Sequence, residues 1–419
     1  MADLVVMSTK RRLDLQALRA VAVVAVILNH TWPGLAPGGY LGVDIFFVVS
    51  GYLITRHLVG EWTRDGRIKL GRFYLRRARR LLPAATLVLA AVAAMTVLVV
   101  PRYQWQAYFE QVAGSALYVQ NWVLLAPTTG PTANTALLHF WSLSVEEQFY
   151  LAWPLLIIAG ASLAAWWGKP PRAVLVAGAG VIVAASLTLW IVTSAQNYEL
   201  AYFSTFTRAW EFAAGGLLAL LPALRVTGWR ADLLFWAGLS ALVASILLLA
   251  GNAGALVVIP VAATIAIIVA CNEGLPSSAR RLTSWRPVQW TGDNSYALYL
   301  WHWPVLVFAP FVTGVPSESW FMVLLLGFVV VLAWATTRFI ENPVRRTPLE
   351  GAQFHRRRQV AALAVTAGLV VTLGVAGASL WVRAQDPAIT DACVDRGNTT
   401  IELDRVSSSP QRLTVWASQ

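Results

Sequence analysis

Ionisable side chains interrupt one of the most apolar stretches of this sequence. Residues 15–32, LQALRAVAVVAVILNHTW, hold Arg19 and His30 eleven positions apart. In an α-helix eleven residues make about three turns, so both side chains lie on one face, about 16 Å apart along the axis. A face that is polar at both ends predicts a cavity or path, because lipid does not accommodate such groups. The alternative is that each side chain snorkels to its own membrane interface.

A carboxylate lies at a similar depth in the next apolar stretch. The segment GGYLGVDIFFVVSGYLITRHL places Asp44 near the end that we expect close to His30, with Ser50 deeper inside. A carboxylate beside an imidazole fixes its tautomer and raises its basicity. His30 is therefore a candidate general base oriented by Asp44, and Ser50 a candidate substrate contact. The alternative for Asp44 is a helix-start carboxylate at the favourable end of the helix dipole.

Two later segments add further acids and another arginine. LLHFWSLSVEEQFYLAWPLLI holds Glu146 and Glu147, which point in different directions on a helix. We expect Glu146 to face the cavity as a catalytic acid or base. In FSTFTRAWEF, Arg208 and Glu211 are three residues apart and can pair along a helix. A structural ion pair is the first interpretation of that spacing, and substrate binding is the second.

A third histidine-bearing segment, GDNSYALYLWHWPVLVF, carries polar residues at helical spacing. Ser295, Tyr299 and His302 share one face, at positions i, i+4 and i+7. Tyr299 and His302 are candidate substrate-binding residues. The neighbouring Trp301 and Trp303 are either membrane-interface anchors or stacking partners for a ligand.

A strongly basic stretch, RDGRIKLGRFYLRRARRLLP, precedes the third apolar segment. We expect it to form a cytosolic loop, where membrane orientation and anionic lipids account for much of its charge. Arg76 and Arg79 share a helical face, as do Arg77 and Arg80, and Arg72 lies close by. Arginine clusters of this kind bind phosphate groups well. These five arginines are therefore candidate residues for binding a phosphorylated cofactor, and the family resemblance given below adds Arg19 to them.

The composition is that of a membrane protein. Of 419 residues, 57% are hydrophobic and 13% are charged, against about 25% charged in a soluble protein. Long apolar runs recur along the chain, and the strict alternation of polar and apolar residues that is typical of β-barrel strands is absent. The predicted fold is therefore all-α and polytopic. The net charge is +11, and the basic residues lie between the apolar runs. This position favours a role of these residues in membrane orientation over nucleic-acid binding. No metal-ligand spacing is present, and no metal is expected.

About eleven transmembrane helices are predicted. The N-terminus is predicted to be cytosolic, because this orientation places most of the 32 basic residues on the cytosolic side of the membrane. Residues 1–383 form the predicted transmembrane domain, with a core to about residue 346 and an eleventh helix at 359–382. Residues 384–419 form an extracytoplasmic tail or linker, so Cys271 and Cys393 lie on opposite sides of the membrane. The predicted spans are 14–32, 40–59, 81–101, 138–160, 173–194, 205–222, 232–250, 254–271, 294–313, 319–338 and 359–382.

Seven of these segments, in this order, resemble the integral-membrane acyltransferase family 3. They are LDLQALRAVAVVAVILNH, GGYLGVDIFFVVSGYLI, RFYLRRARRLLP, FWSLSVEEQFYLAWP, TFTRAWEFAAGGLLA, SYALYLWHWP and FIENPVRR. The resemblance extends from about Leu13 to Arg346. One such motif alone is weak evidence, whereas seven in the family's order are highly specific.

The resemblance implies an acyl-CoA donor, usually acetyl-CoA, reached from the cytosol, and an acceptor hydroxyl on an envelope glycan or glycolipid. The family's essential Arg and His fall on Arg19 and His30, its Arg-x-x-Arg element within residues 76–80, and its acidic position on Glu146. Many relatives add an eleventh helix and an extracytoplasmic SGNH-type domain, fused or separate. The tail here lacks the Gly-Asp-Ser-His block and no complete SGNH domain is expected within it.

The sequence thus favours a multi-pass O-acyltransferase of the bacterial inner membrane, in contact with lipid. If Arg19 and His30 serve one long donor, a continuous tunnel lined by Arg19, Ser50, Glu146, Tyr299 and His302 is expected. A transporter or flippase of a glycan or lipid intermediate is the alternative, because polar residues in spans also form transport paths. A third possibility, an accessory membrane protein without chemistry, leaves the polar faces unexplained.

Overall fold

The structure is a computed structural model that describes residues 12–126, 135–314 and 319–345. Within these ranges the chain is helical, with no β-strand. A π-helical segment, Thr337–Glu341, joins the last two helices. The α-helices are α1 (Leu13–Thr31), α2 (Gly42–Asp65), α3 (Leu70–Val99), α4 (Trp105–Ala116), α5 (Gln120–Leu125), α6 (Phe140–Trp166), α7 (Pro171–Gln196), α8 (Tyr198–Phe203), α9 (Thr205–Leu220), α10 (Trp229–Leu248), α11 (Val258–Ala270), α12 (Arg280–Thr283), α13 (Arg286–Thr313), α14 (Ser319–Thr336) and α15 (Asn342–Arg345).

Eight of the helices in the described ranges are long and apolar enough to cross a membrane: α1, α2, α3, α6, α7, α10, α13 and α14. The prediction of an all-α polytopic protein is therefore confirmed. The predicted spans at 205–222 and 254–271 coincide with α9 and α11, which have only 16 and 13 residues. The predicted helix at 359–382 and the tail at 384–419 lie outside the described residues, so the count of eleven stays a prediction.

The basic stretch before the third span is helical, and its prediction as a loop is wrong from residue 70 onward. Helix α3 begins at Leu70 and continues for 30 residues to Val99. Leucine, arginine and alanine dominate residues 75–82, and all three favour helix. The arginines of this stretch therefore project from a rigid helix that continues into the apolar bundle.

Glycines let the central helices approach closely. A β-carbon on Gly51 of α2 would lie 2.0 Å from the Phe212 carbonyl oxygen of α9. A β-carbon on Gly215 of α9 would lie 2.1 Å from the Val48 carbonyl oxygen of α2. A β-carbon on Gly292 of α13 would similarly meet the Gln16 carbonyl oxygen of α1 at 2.1 Å. Small residues at such crossings bring helix backbones together in membranes. The contacts fix α1 against α13 and α2 against α9.

Helices α1 and α13 run side by side in the same direction, which defines two ends of the bundle. Near their starts, Gln289 Nε2 donates to the Leu13 carbonyl oxygen at 2.9 Å. Toward their other ends, His30 meets His302. We call the end that holds Arg19 and the arginines of α3 the arginine end, and the other the histidine end. That the arginine end faces the cytosol stays a prediction.

Candidate functional site

Three histidines from three helical regions meet at the histidine end. His30 lies in the last turn of α1, His302 lies midway along α13, and His139 immediately precedes α6. His30 Nδ1 is 3.0 Å from His302 Nε2, and the two rings are nearly coplanar, with an interplanar angle of 4°. The His139 and His302 ring centroids are 5.4 Å apart. The sequence placed His302 well inside its span and did not pair it with His30.

A chain of hydrogen bonds assigns the tautomer of His30. His302 Nδ1 lies 2.6 Å from the Tyr299 carbonyl oxygen, which can only accept, so this nitrogen carries the proton. In a neutral ring the other nitrogen of His302, Nε2, is then an acceptor. His30 Nδ1 must therefore donate to it, which leaves a lone pair on His30 Nε2. This is the state in which an imidazole accepts a proton from a substrate.

Asp44 does not orient His30, and the contact predicted between them is wrong. Asp44 instead pairs with Arg208, whose Nη2 lies 3.2 Å from Asp44 Oδ1. Arg208 Nη1 also lies 3.1 Å from Glu211 Oε1, and all three side chains are at most 1% exposed. A guanidinium that is fully buried in the protein needs a nearby counter-charge. The close crossing of α2 and α9 brings the Asp44 carboxylate to Arg208 and so provides this charge.

The same geometry decides between the two interpretations of Arg208 and Glu211. Their guanidinium and carboxylate groups face each other and Asp44, and Arg208 Cζ lies 4.9 Å from the Trp190 ring centroid. None of the three charged residues lines either of the two cavities described below. The arrangement favours the structural ion pair over substrate binding.

A cavity of about 320 Å³ lies toward the arginine end, between α1, α2, α3, α6 and α13. It brings together seven residues singled out from the sequence: Arg19, Ser50, Arg76, Arg77, Arg80, Glu146 and Tyr299. Two other predicted cofactor ligands are absent from its lining, because Arg72 is exposed on α3 and Arg79 donates to the Val344 carbonyl oxygen. We call this space the arginine cavity.

Glu146 is the centre of the polar contacts in the arginine cavity. Ser50 Oγ donates to Glu146 Oε1 at 2.5 Å, and the Tyr150 hydroxyl donates to the same oxygen. Arg77 lies 3.5 Å from that oxygen through Nη2, and its Cζ sits 3.2 Å from the Tyr150 ring centroid. Glu147 does not line the cavity, in keeping with the choice of Glu146 from the sequence.

Several lining residues were not selected from the sequence. Tyr150 follows Glu146 by four positions, so helical spacing could have placed it on the same face. His57, to which the sequence gave no role, lies 2.8 Å from Arg76 through Nε2. Its contact with a residue nineteen positions later depends on how α2 packs against α3, which no local pattern reveals.

A second cavity, of about 500 Å³, lies at the histidine end. We call it the histidine cavity. Its polar lining includes Asn29, His30, His139 and Glu199. Burial raises the pKa of Tyr198, in the short helix α8, to about 12, so its hydroxyl stays protonated there. The aromatic residues that line this cavity are Tyr40, Trp141, Tyr198, Tyr202, Phe203, Tyr299 and Trp303.

A wall of two side chains separates the cavities where a continuous tunnel was expected. Val43 and Tyr299 line both spaces, and they are 4% and 5% exposed. The Tyr299 hydroxyl donates to the His139 carbonyl oxygen at 2.9 Å and lies 2.7 Å from Ser142 Oγ. His302, expected in the tunnel lining, is fully buried behind His30. The expected tunnel is thus two chambers in this structure.

Two arginines of the arginine cavity lack an acidic partner. No carboxylate of the described ranges lies within 4 Å of the guanidinium of Arg19 or of Arg80. Arg19 Nη1 instead donates to Gln16 Oε1 at 3.2 Å. Both side chains face a cavity, so they are available to a bound anion. Within the described residues, no group of three or more His, Cys, Asp or Glu side chains could hold a metal ion.

Comparison with known proteins identifies the family. The family model described as an acyltransferase domain matches residues 12–339, most of the chain. The chain belongs to the integral-membrane acyltransferase family 3. Peptidoglycan O-acetyltransferase OatA of Listeria monocytogenes is 31% identical over 356 residues, 80% of this chain and 56% of that protein. O-acetyltransferase OatA of Staphylococcus aureus is 30% identical over 361 residues, 81% of this chain and 58% of that protein.

The chain spans somewhat more than half the length of these curated relatives. No solved structure matches it. Family membership and the eight long apolar helices together make the chain a multi-pass bacterial membrane protein.

Proposed function

We propose that this protein transfers an acyl group from acyl-CoA, bound at the arginine end, to a hydroxyl of an envelope carbohydrate at the histidine end. The observation that carries the proposal is the lone pair of His30 Nε2, left free by the hydrogen bond to His302, on a residue that lines the histidine cavity. The relatives are named as O-acetyltransferases, one of them for peptidoglycan. Acetyl is accordingly the proposed acyl group.

The donor enters from the arginine end in this mechanism. Arg19 and Arg80 offer guanidinium groups without acidic partners to the phosphates of the donor. The acyl-pantetheine arm occupies the arginine cavity, which is about 320 Å³ and lined mainly by apolar and aromatic side chains around Glu146. Because the wall of Val43 and Tyr299 closes the far side of this cavity, those two side chains must shift before the thioester reaches His30.

The acceptor occupies the histidine cavity, where aromatic rings suit the apolar face of a sugar. His30 Nε2 removes the proton of the acceptor hydroxyl as its oxygen attacks the thioester carbonyl carbon. The C–O bond forms, the C–S bond breaks, and the proton on His30 passes to the departing thiolate. The products are an O-acyl ester and free CoA. General-base assistance of this kind contributes about 10²- to 10⁴-fold.

Replacement of His30 tests the proposal directly. Purified full-length protein in detergent would be given radiolabelled acetyl-CoA and peptidoglycan glycan fragments, with ester formation followed by base-labile label. His30→Ala should lower the rate by at least about 10²-fold without changing the thermal unfolding temperature. The matched control, His355→Ala, removes a histidine outside the described residues and should keep the rate. Retention of a tenth of the activity by His30→Ala would contradict the general-base role.

A further inference from the structure

The FIENPVRR motif, which the proposed chemistry leaves unused, contributes Asn342 and Arg345 to a separate pocket at the arginine end. The π-helical segment Thr337–Glu341 interrupts the helix here, and π-helical turns often occur at functional sites. The pocket measures about 520 Å³. Trp290 of α13 and Trp334 of α14 contribute indole rings to it, while Arg338 and Arg345 contribute guanidinium groups. We call it the side pocket.

A further cavity, of about 430 Å³, links the side pocket to the arginine cavity. It shares Gln16, Asp293 and Arg345 with the side pocket. It also shares Arg19 and Arg80 with the arginine cavity. Adjoining spaces therefore extend from the two indoles, past the two arginines without acidic partners, to Glu146.

The charges along this route suit a ligand with separated phosphates. Arg338 and Arg345 lie at its outer end, and Arg19 and Arg80 lie farther in. Arg12 also lines the linking cavity, but it is paired with Asp14 at 2.6 Å. Two carboxylates, Asp293 and Glu341, line the route as well, and the four arginines other than Arg12 outnumber them.

Glu341 carries an unused acceptor on this route. The side chain is buried, with the residue 6% exposed, and Oε1 has no hydrogen-bond partner. A buried polar atom without a partner is rare and asks for an explanation, of which a missing ligand is one. Hydroxyl or amino groups of a ligand could donate to it, whereas a phosphate could not.

We propose that the side pocket binds the 3′-phosphoadenosine end of the acyl-CoA donor. The adenine packs against the indole rings of Trp290 and Trp334, which present the flat apolar faces that bases favour. Arg338 and Arg345 bind the 3′-phosphate, and Arg19 and Arg80 bind the diphosphate. Glu341, in the linking cavity, accepts a hydrogen bond from the ribose hydroxyl, since the ribose lies between the adenine and the diphosphate. This inference rests on the proposed function for the identity of the donor, and it adds where the nucleotide is held.

Binding of adenosine 3′,5′-bisphosphate tests the pocket without requiring catalysis. Calorimetry on the purified full-length protein should show that this probe binds at least about tenfold more tightly than 5′-AMP, because only the bisphosphate carries the 3′-phosphate. The double variant Arg338→Ala, Arg345→Ala should lose that difference. Arg280→Ala, which removes an exposed arginine from α12 at the same end of the bundle, should keep it. Equal binding of both probes to the wild type would overturn the proposal.

Kinetics with shortened donors separates this proposal from the proposed function. With acetyl-CoA, the double variant should raise KM by about 10- to 100-fold and leave kcat unchanged. With acetyl-dephospho-CoA, which lacks the 3′-phosphate, wild type and variant should be equal. If the variant kept the wild-type preference for acetyl-CoA, the side pocket would not bind the phosphate, yet acyl transfer itself would stand. If bisphosphate binding behaved as expected but no donor supported transfer, the proposed function alone would fail.

Discussion

At the residue scale, the hydrogen bond between His30 and His302 decides which nitrogen of His30 can accept a proton. An imidazole can act as a base only through a nitrogen that is free of its own proton and faces the substrate. The carbonyl oxygen of Tyr299 fixes the proton on His302 Nδ1, and His302 in turn fixes the proton on His30 Nδ1. In the proposed mechanism His302 therefore positions His30 without lining either cavity.

We expect His302→Leu to lower kcat by at least about tenfold, because His30 then samples both tautomers and ring orientations. The KM for acetyl-CoA should not change, because His302 lies away from the arginine cavity. Steady-state kinetics with each substrate varied in turn would measure both constants. His302→Gln, whose amide can still accept a hydrogen bond, should recover part of the loss. Identical kcat values for the two variants would argue against a positioning role.

Asp44 is expected to affect stability far more than chemistry. Asp44→Asn removes a charge that faces Arg208 in a fully buried site, and breaking such a pair costs about 3–5 kcal/mol. Thermal unfolding in detergent should show a marked loss, while the folded fraction should retain a kcat near that of the wild type. A variant that unfolds normally but loses about 10²-fold in kcat would instead restore the catalytic role expected from the sequence.

At the element scale, close helix crossings and one helix extension make the site. The close contact of Gly292 in α13 with α1 helps to bring His302 to His30, although 272 positions separate the two histidines in the chain. The extension of α3 to Leu70 places Arg76, Arg77 and Arg80 along the wall of the arginine cavity. The wall between the chambers is likewise a product of packing, since α2 contributes Val43 and α13 contributes Tyr299.

We expect Val43→Phe to block acyl transfer, because a larger ring at this position fills the only region where both chambers share lining residues in the described structure. Acetyl-CoA binding at the arginine end should remain within about threefold of the wild type, since the arginines are unchanged. Binding would be followed by calorimetry and transfer by ester formation. Val43→Ala is the matched control and should keep transfer. Full activity in Val43→Phe would mean that the acyl group travels by another route.

The sequence predicted features that depend on composition and local spacing. Apolar length and buried charge located the spans that hold Arg19, His30 and Glu146, and helical spacing separated Glu146 from Glu147. Contacts between distant segments could not be predicted from it, because helical spacing indicates how deep a residue lies in the membrane but not which residue it contacts. Asp44 was expected at the depth of His30 and His302 well inside its span, and only packing shows that Asp44 pairs with Arg208 while His302 meets His30.

At the scale of the whole molecule, two cysteines can report the membrane topology. Cys271 is 3% exposed in the fold, so a maleimide should react with it slowly. Cys393 lies outside the described residues and, with eleven spans and a cytosolic N-terminus, belongs on the outer side. An impermeant maleimide on intact cells should therefore label the wild type and fail to label Cys393→Ser. Labelling of Cys271 but not Cys393 would contradict the count of eleven spans.

The wall formed by Val43 and Tyr299 also affects whether protons can leak across the membrane through this protein. A passage wide enough for a pantetheine arm and open at both ends would admit water, and a continuous water column conducts protons. Two chambers that meet at a closed wall would let the proposed donor and acceptor approach from opposite sides without a continuous water column between them. A catalyst built in this way can work in a membrane that must hold a proton gradient.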